Sequence, residues 1–186
     1  MATKIEPLLT VADLEATPDD GNRYEIIEGE LFVSRAPSVP HQRIIHNLQM
    51  SLGSYLARNP IGILVPGAGV ILSDNNAVIP DLLFIAEERR AEIATGDKIT
   101  GAPDLIIEVM SPGAENRQRD LIIKRQLYGK YGVKEYWVID PENQAVEIYR
   151  LRGQSLEKIV TLTHEEDLTS PLLPGFQMKA QEIFNL

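Results

Sequence analysis

The sequence predicts a single α/β domain over residues 1–186, a mixed β-sheet flanked by helices and preceded by a β-hairpin. Three observations carry that prediction. Residues 104–140 read as strand, helix and strand, a succession that closes as a right-handed crossover with its two strands parallel. Residues 62–85 fall into short apolar runs separated by turn signals, as antiparallel strands do. Residues 41–58 place apolar side chains at 44, 45, 48, 52, 55 and 56, the spacing of one helical face.

Taken in order, Thr10 can cap a short helix over "VADLEA" that stops before Pro18. "RYEIIEGELFVS" reads as the hairpin, turning at Glu28-Gly29. Asn59-Pro60 ends the first long helix. The runs 62–65, 69–72 and 78–85 are expected side by side in one antiparallel sheet, and "EERRAEIATGDKITG" as a polar excursion of helix and loop. "DLIIEVM" is a strand broken by "SPG". A helix from about Asn116 to Tyr131 ends at Gly132, a residue suited to the left-handed C-terminal position. "EYWVIDP" is a strand closed by Pro141, "AVEIYRLR" and "SLEKIVTLT" form a further hairpin, and the tail is short.

A chain of 186 residues can bury a core of its own, and 44% hydrophobic with 24% charged residues is the balance of a soluble globular protein. The lack of cysteine excludes disulfides and thiolate metal sites and suits a reducing compartment. No basic segment followed by an apolar run opens the sequence, and no stretch is apolar for long enough to span a bilayer. A cytoplasmic protein without membrane contact is therefore expected. The net charge of −9 argues against a broad nucleic-acid footprint, so any basic surface must be local. Within 117–134 six cations, Arg117, Arg119, Lys124, Arg125, Lys130 and Lys134, face one acid, Asp120. The same cations also suit an ordinary solvated helix, and composition favours that reading.

The tetrapeptide Asp-Leu-Ile-Ile occurs twice, at 104–107 and 120–123, running once into Glu108 and once into Lys124. Side chains alternate along a strand, so Asp104, Ile106, Glu108 and Met110 share one face, and Leu105, Ile107 and Val109 the other. A strand so apolar should be covered on both sides, which leaves Glu108 near a buried position where a carboxylate needs a partner or a metal. On the helix, Leu121, Ile123, Leu127, Tyr128 and Tyr131 fan about one direction, and Asp120 and Lys124 point into the middle of that fan. Arg125, Gln126 and Gly129 lie opposite. Asp120 and Lys124 could be a plain i,i+4 ion pair at the edge of the face. Asp81, just after Pro80, could be a strand-entry turn residue. Converging instead, Asp81 and Glu108 would make a hard oxygen site suited to Mg²⁺, and Lys124 would act on the attacking water or on the phosphate.

"IPDLLFI", "GAPDLIIEVMSPG", "RDLIIKRQLYGKYGVKEYWVIDPE", "PHQRI", "RYEIIEGELFVS" and "PLLPGF" together resemble the PD-(D/E)XK restriction-endonuclease-like nuclease superfamily. Within it they resemble a large bacterial family of uncharacterised endonucleases. The resemblance implies a restriction-endonuclease-like core and Mg²⁺-dependent cleavage of DNA, with Mn²⁺ as a substitute ion. It assigns the metal-binding acids to Asp81 and Glu108, adds the backbone carbonyl of Val109, and sets Pro103-Asp104 aside as a decoy. The position where the family pattern has lysine is Met110, and Lys124, one element later, is the candidate replacement. Helix 41–58 lacks the acid that many relatives carry there, so Glu25, His41, Gln42 and Asp120 are the candidates for supporting roles.

The three histidines lack zinc-site spacing, and "GAG" at 67–69 lacks the lysine of a phosphate loop. Tyr136 and Trp137, in a strand, are expected in the core, and "PLLPGF" packed on its own domain. Against a nuclease stands a fold relative without cleavage activity, an oligomeric or nucleic-acid-binding domain in which Glu108, Asp120 and Lys124 form a structural network. So acidic a protein with so local a basic patch would need a homodimer to hold a duplex.

Overall fold

Pro80 divides the apolar run 78–85, which does not form one strand. The computed structural model describes residues 8–185, and there the run splits into two strands of different sheets. Proline offers no N–H to a ladder and restricts the residue before it, so the chain changes sheets at Ile79-Pro80-Asp81. The expected single antiparallel sheet is thus two sheets, with Asp81 in the seam between them.

A 3₁₀ turn, Val11–Ala16, opens the described chain, with both the backbone N–H and the hydroxyl of Thr10 donating to Asp13 Oδ2 (2.7 and 2.8 Å). Strands β1 (Arg23–Ile27) and β2 (Glu30–Ser34) form the expected hairpin. Its turn residues Glu28 and Gly29 have φ of 51° and 78°, the paired left-handed geometry that two-residue hairpins favour. Gly29 is required twice over, because a Cβ there would lie 2.6 Å from that of Leu8. Helix α1 (Val39–Arg58) starts two residues earlier than its apolar spacing indicated, behind Ser38, whose hydroxyl accepts from His41 N–H. Strands β3 (Gly62–Pro66), β4 (Val70–Ser73), β5 (Asn76–Val78) and β6 (Leu82–Ala86) follow, then α2 (Glu87–Ile93) and β7 (Ile99–Thr100).

Strand β8 (Leu105–Val109), helix α3 (114–131) and strand β9 (Glu135–Asp140) are the crossover unit, and β8 and β9 pair in parallel as expected. Helix α3 is α-helical at Ala114–Gln118 and Arg125–Tyr131 and π-helical at Arg119–Lys124, and it stops at Gly132, φ 88°. Strands β10 (Ala145–Arg152) and β11 (Ser155–Thr163) extend the sheet. The tail is more than a short end: β12 (Asp167–Ser170) and β13 (Leu173–Lys179) form a hairpin, followed by α4 (Ala180–Ile183). The larger sheet has the order β11-β10-β9-β8-β6-β3, and the smaller β2-β1-β5-β4-β7.

Two cores lie on opposite faces of the larger sheet. Leu105, Ile107 and Val109 pack with Ile44, Leu48 and Leu52 of α1 and with Phe176 and Met178 of the tail hairpin. Ile106 and Met110 pack with Leu127 and Tyr128 of α3 and with Val70 and Val78 of the smaller sheet. A fully buried aliphatic side chain contributes ~1.5–3 kcal/mol, so these two layers rather than strand propensity fix β8. Tyr136 and Trp137 are buried as expected. Phe176 meets Tyr55 edge-on at 5.6 Å, which seats the "PLLPGF" tail on its own domain. The wheel misplaced Gly129: it is buried, and a Cβ there would come within 3.0 Å of Gln154 O and Leu156 N of β11 and the turn before it. Helix α3 lies on the sheet and against the β10–β11 hairpin at once, so it has two buried sides.

Candidate active site

Where the two sheets meet α3 and the start of α1, charged side chains line one cleft. Strand β8 supplies Glu108, the sheet switch Asp81, β1 both Arg23 and Glu25, α1 His41, and the π-helical stretch Arg119, Asp120 and Lys124. Local reasons place each one. Arg23 and Glu25 are two apart on a strand and share a face. His41 stands in the first turn of α1 because Ser38 and Pro40 start the helix there. The π stretch is a local widening of the kind often found at functional sites.

Lys124 Nζ lies 2.9 Å from Glu108 Oε1 and 3.0 Å from Glu25 Oε1, and it is almost wholly buried. The hydroxyl of Tyr128 donates to the same Glu108 oxygen at 2.8 Å, and Ile79 N–H donates to Glu25 Oε1 at 2.8 Å. Asp81 is bound on both oxygens. Arg23 reaches Oδ1 at 3.0 Å, while Val109 N–H (2.9 Å) and His41 Nε2 (3.2 Å) reach Oδ2. His41 Nε2 also lies 3.0 Å from the Val109 carbonyl oxygen. Both neighbours are acceptors, so Nε2 carries the proton. Its other ring nitrogen is buried without a hydrogen-bond partner among the described residues. Arg119 Nε donates to Asp120 Oδ1 at 3.3 Å, and Tyr136 donates its hydroxyl proton to the Asp120 backbone carbonyl.

The electrostatics follow from crowding. Burial pushes the Glu108 carboxyl up to about 8; Lys124 opposes that rise, and Asp81, Asp120 and Glu25 add to it. Asp120 is also raised by burial, against the pull of Lys124 and Arg119. Asp81 goes the other way. Burial would raise it, but the bond from His41, the positive charge of that ring and the Val109 N–H hold it below the usual carboxylate range. Burial works against a charged His41, yet the Asp81 carboxylate outweighs burial and raises its pKa. Lys124 is raised too: burial would lower it, but Glu108, Glu25 and Asp120 surround its ammonium.

Of the residues singled out in the sequence, Asp81, Glu108, Lys124, Glu25, His41 and Asp120 come together, with Val109 contributing backbone. Gln42 does not: it is exposed on α1, outside the cleft, because one helical step turns it away from His41. Met110 is buried among the apolar residues under α3, so no base stands at the family's usual place. Asp104 lies outside the cleft, its carboxylate accepting from Ala86 N–H and from Arg89 and Lys134. Arg23, Arg119 and Tyr128 were not assigned to the site in the sequence. For Arg23 the signal was its two-residue spacing from Glu25; a tyrosine on an apolar helix face gives none for its hydroxyl.

Among the described residues no three Asp, Glu or His side chains already stand as a ligand set for a metal ion. The donors nonetheless fit a hard divalent cation. Carboxylates of Asp81, Glu108, Glu25 and Asp120 and the Val109 carbonyl line the one cleft, and burial, with added repulsion from the neighbouring acids, raises Glu108, which an added positive charge would relieve.

No curated protein matches the chain. A crystal structure from Anabaena variabilis, described as a "putative nuclease belonging to DUF820", matches with a TM-score of 0.77 at 21% identity, over 95% of this chain and 97% of that one. It shares the fold, a mixed α and β architecture with helices flanking the sheets. The profile of the Uma2 family, described as "Putative restriction endonuclease", matches residues 11–181. With that match spanning nearly all of the chain, and with a fold consistent with the PD-(D/E)XK-like nucleases, the protein belongs to the Uma2 family.

Proposed function

We propose that the protein is a Mg²⁺-dependent endonuclease, also served by Mn²⁺, that hydrolyses phosphodiester bonds of DNA. The observation that carries this reading is the 2.9 Å approach of Lys124 Nζ, from helix α3, to Glu108 on the strand where the family's lysine position holds methionine. Asp81, Glu108 and the Val109 carbonyl would hold the metal. A bound divalent cation supplies polarisation of a phosphate oxygen and a more acidic water. The remaining chemistry falls to the chain. Lys124, its pKa raised by the acids around it, keeps its proton, so it stabilises charge developing on the phosphate rather than taking a proton from water. Glu25 and Tyr128 hold Lys124 and Glu108 in place from either side. His41 and the Val109 N–H keep Asp81 ionised, and Arg23, paired with Asp81 but partly exposed, can turn to a phosphate oxygen.

A second reading is a non-cleaving relative, favoured by the cationic partners that Asp81 and Glu108 already have. Titrating Mg²⁺ and Mn²⁺ into the protein with plasmid DNA decides between them, beside Glu108→Ala and Lys124→Ala. Metal-dependent nicking that both substitutions abolish is expected. Cleavage that survives both would remove the assignment, and DNA binding without cleavage at any metal concentration would favour the second reading.

A further inference from the structure

We infer that a second cavity, beside the cleft, receives one nucleobase of the DNA strand whose phosphate lies at Asp81. This rests on the nuclease reading for its substrate class but on separate residues for its geometry. The cavity holds about 370 Å³ between the 3₁₀ turn, β1 and the β4–β5 pair, a volume within the ~300–1,000 Å³ of small-ligand sites. It shares Arg23 and Ile79 with the cleft. Arg23 thus stands on the boundary, bound to Asp81 on one side and lining the cavity on the other.

The walls suit a flat aromatic ring carrying a phosphate. Ile71 and Ala77, on the face of the β4–β5 pair opposite the core-packed Val70 and Val78, make an apolar floor, and Leu14 of the 3₁₀ turn faces the same space. Tyr24 brings an aromatic ring, its hydroxyl held by Asp20 at 2.8 Å. Aromatic and apolar walls hold any base by stacking, without reading its edge. The charges at this cavity's rim include two cations, Arg23 and exposed Lys98, against Asp19. On a chain of net charge −9, cations beside an apolar floor are the local arrangement that a base with its backbone phosphate needs. A base inside a duplex cannot enter such a pocket, so the preferred substrate is single-stranded, or has the base turned out of its stack.

The test works without metal, in EDTA, and so without cleavage. Melting of the full-length protein is followed with dAMP, dTMP and the base-less deoxyribose 5-phosphate. At tenfold excess over Kd the two nucleotides should raise Tm by ~3 °C or more, and the sugar phosphate should not. Leu14→Trp, which fills the cavity from its surface turn, should abolish the nucleotide shift, and Lys98→Ala, at an exposed side chain, should weaken it. Anisotropy of labelled decathymidylate should show at least tenfold tighter binding than its abasic counterpart. Equal shifts with and without a base would overturn the inference. So would mononucleotide binding with no preference between the two decamers, which would make the occupant a free nucleotide. Base-dependent binding beside single-stranded and plasmid DNA both left uncut in Mg²⁺ and Mn²⁺ would sink the nuclease reading and leave the pocket standing. Cut plasmid without base-dependent binding would do the reverse.

Discussion

Asp104, just before β8, and Glu108, near its end, lie four residues apart, each within hydrogen-bond reach of a lysine, yet their surroundings drive them in opposite directions. Asp104 is fully buried but meets Arg89 and Lys134 at the protein's edge, and these are 25% and 46% exposed. Burial would raise its pKa; the bonds from Lys134 and Ala86 N–H and the charge of Arg89 win, and it falls below the usual carboxylate range. Glu108 shares one almost fully buried ammonium with Glu25, close to two further acids, and burial pushes it up to about 8. Buried acids with surplus cations are structural staples. A cluster where acids outnumber the buried cation holds electrostatic strain that an added cation would relieve.

The largest expected contrast is in activity. Lys124→Met should lower metal-dependent cleavage ~10²–10³-fold, the loss typical of a preorganised charge-stabilising donor. Asp104→Asn should leave cleavage per folded molecule within about twofold, measured on the same plasmid. If Asp104→Asn matched Lys124→Met, the distinction between staple and site would collapse.

Next comes stability. Asp104→Asn should cost ~1–3 kcal/mol at neutral pH, because buried charge-assisted bonds from Arg89 and Lys134 are lost. The folded pKa of Asp104 lies below its unfolded value. Its contribution is therefore present above about pH 4 and is lost as pH falls, so the wild-type and variant melting curves should converge in acid.

Glu108→Gln should show the opposite pH trend. The carboxyl titrates higher in the folded protein than in the unfolded chain, so its contribution is whole below the unfolded value and is lost as pH rises through about 8. The metal-free variant should match wild type near pH 5 and melt a few degrees higher, ~2–4 °C per kcal/mol, near pH 9. A gain that shrank with rising pH would mean that Glu108 is ionised throughout.

The smallest effect is expected at Arg125→Met. Arg125 sits over the Tyr149 ring at 5.3 Å, away from the cleft, and cleavage should change no more than about twofold. A loss equal to that of Lys124→Met would show that helix α3 serves by net charge rather than by the direction of one side chain.

Much of the fold was legible because periodicity and turn chemistry are local. Alternation along 104–110 assigned the faces of β8, Glu28-Gly29 marked the hairpin turn, and Gly132 the end of α3. The same locality singled out Glu108 and Lys124, since a charge amid an apolar face is an anomaly wherever the face packs. Only the tertiary structure decided the rest. Whether 62–86 builds one sheet or two depends on which distant strand each segment meets, and Pro80 permits the switch without dictating the partner. The burial of Gly129 arises because α3 packs on two surfaces at once, which a single wheel cannot represent. Arg23 came to Asp81 from 58 residues away and Tyr128 turned its hydroxyl to Glu108, pairings set by long-range packing. The sequence by itself determined which residues were too polar for their surroundings. Folding decided which of them face one another, because contact energy depends on distances that the chain acquires only when its sheets close.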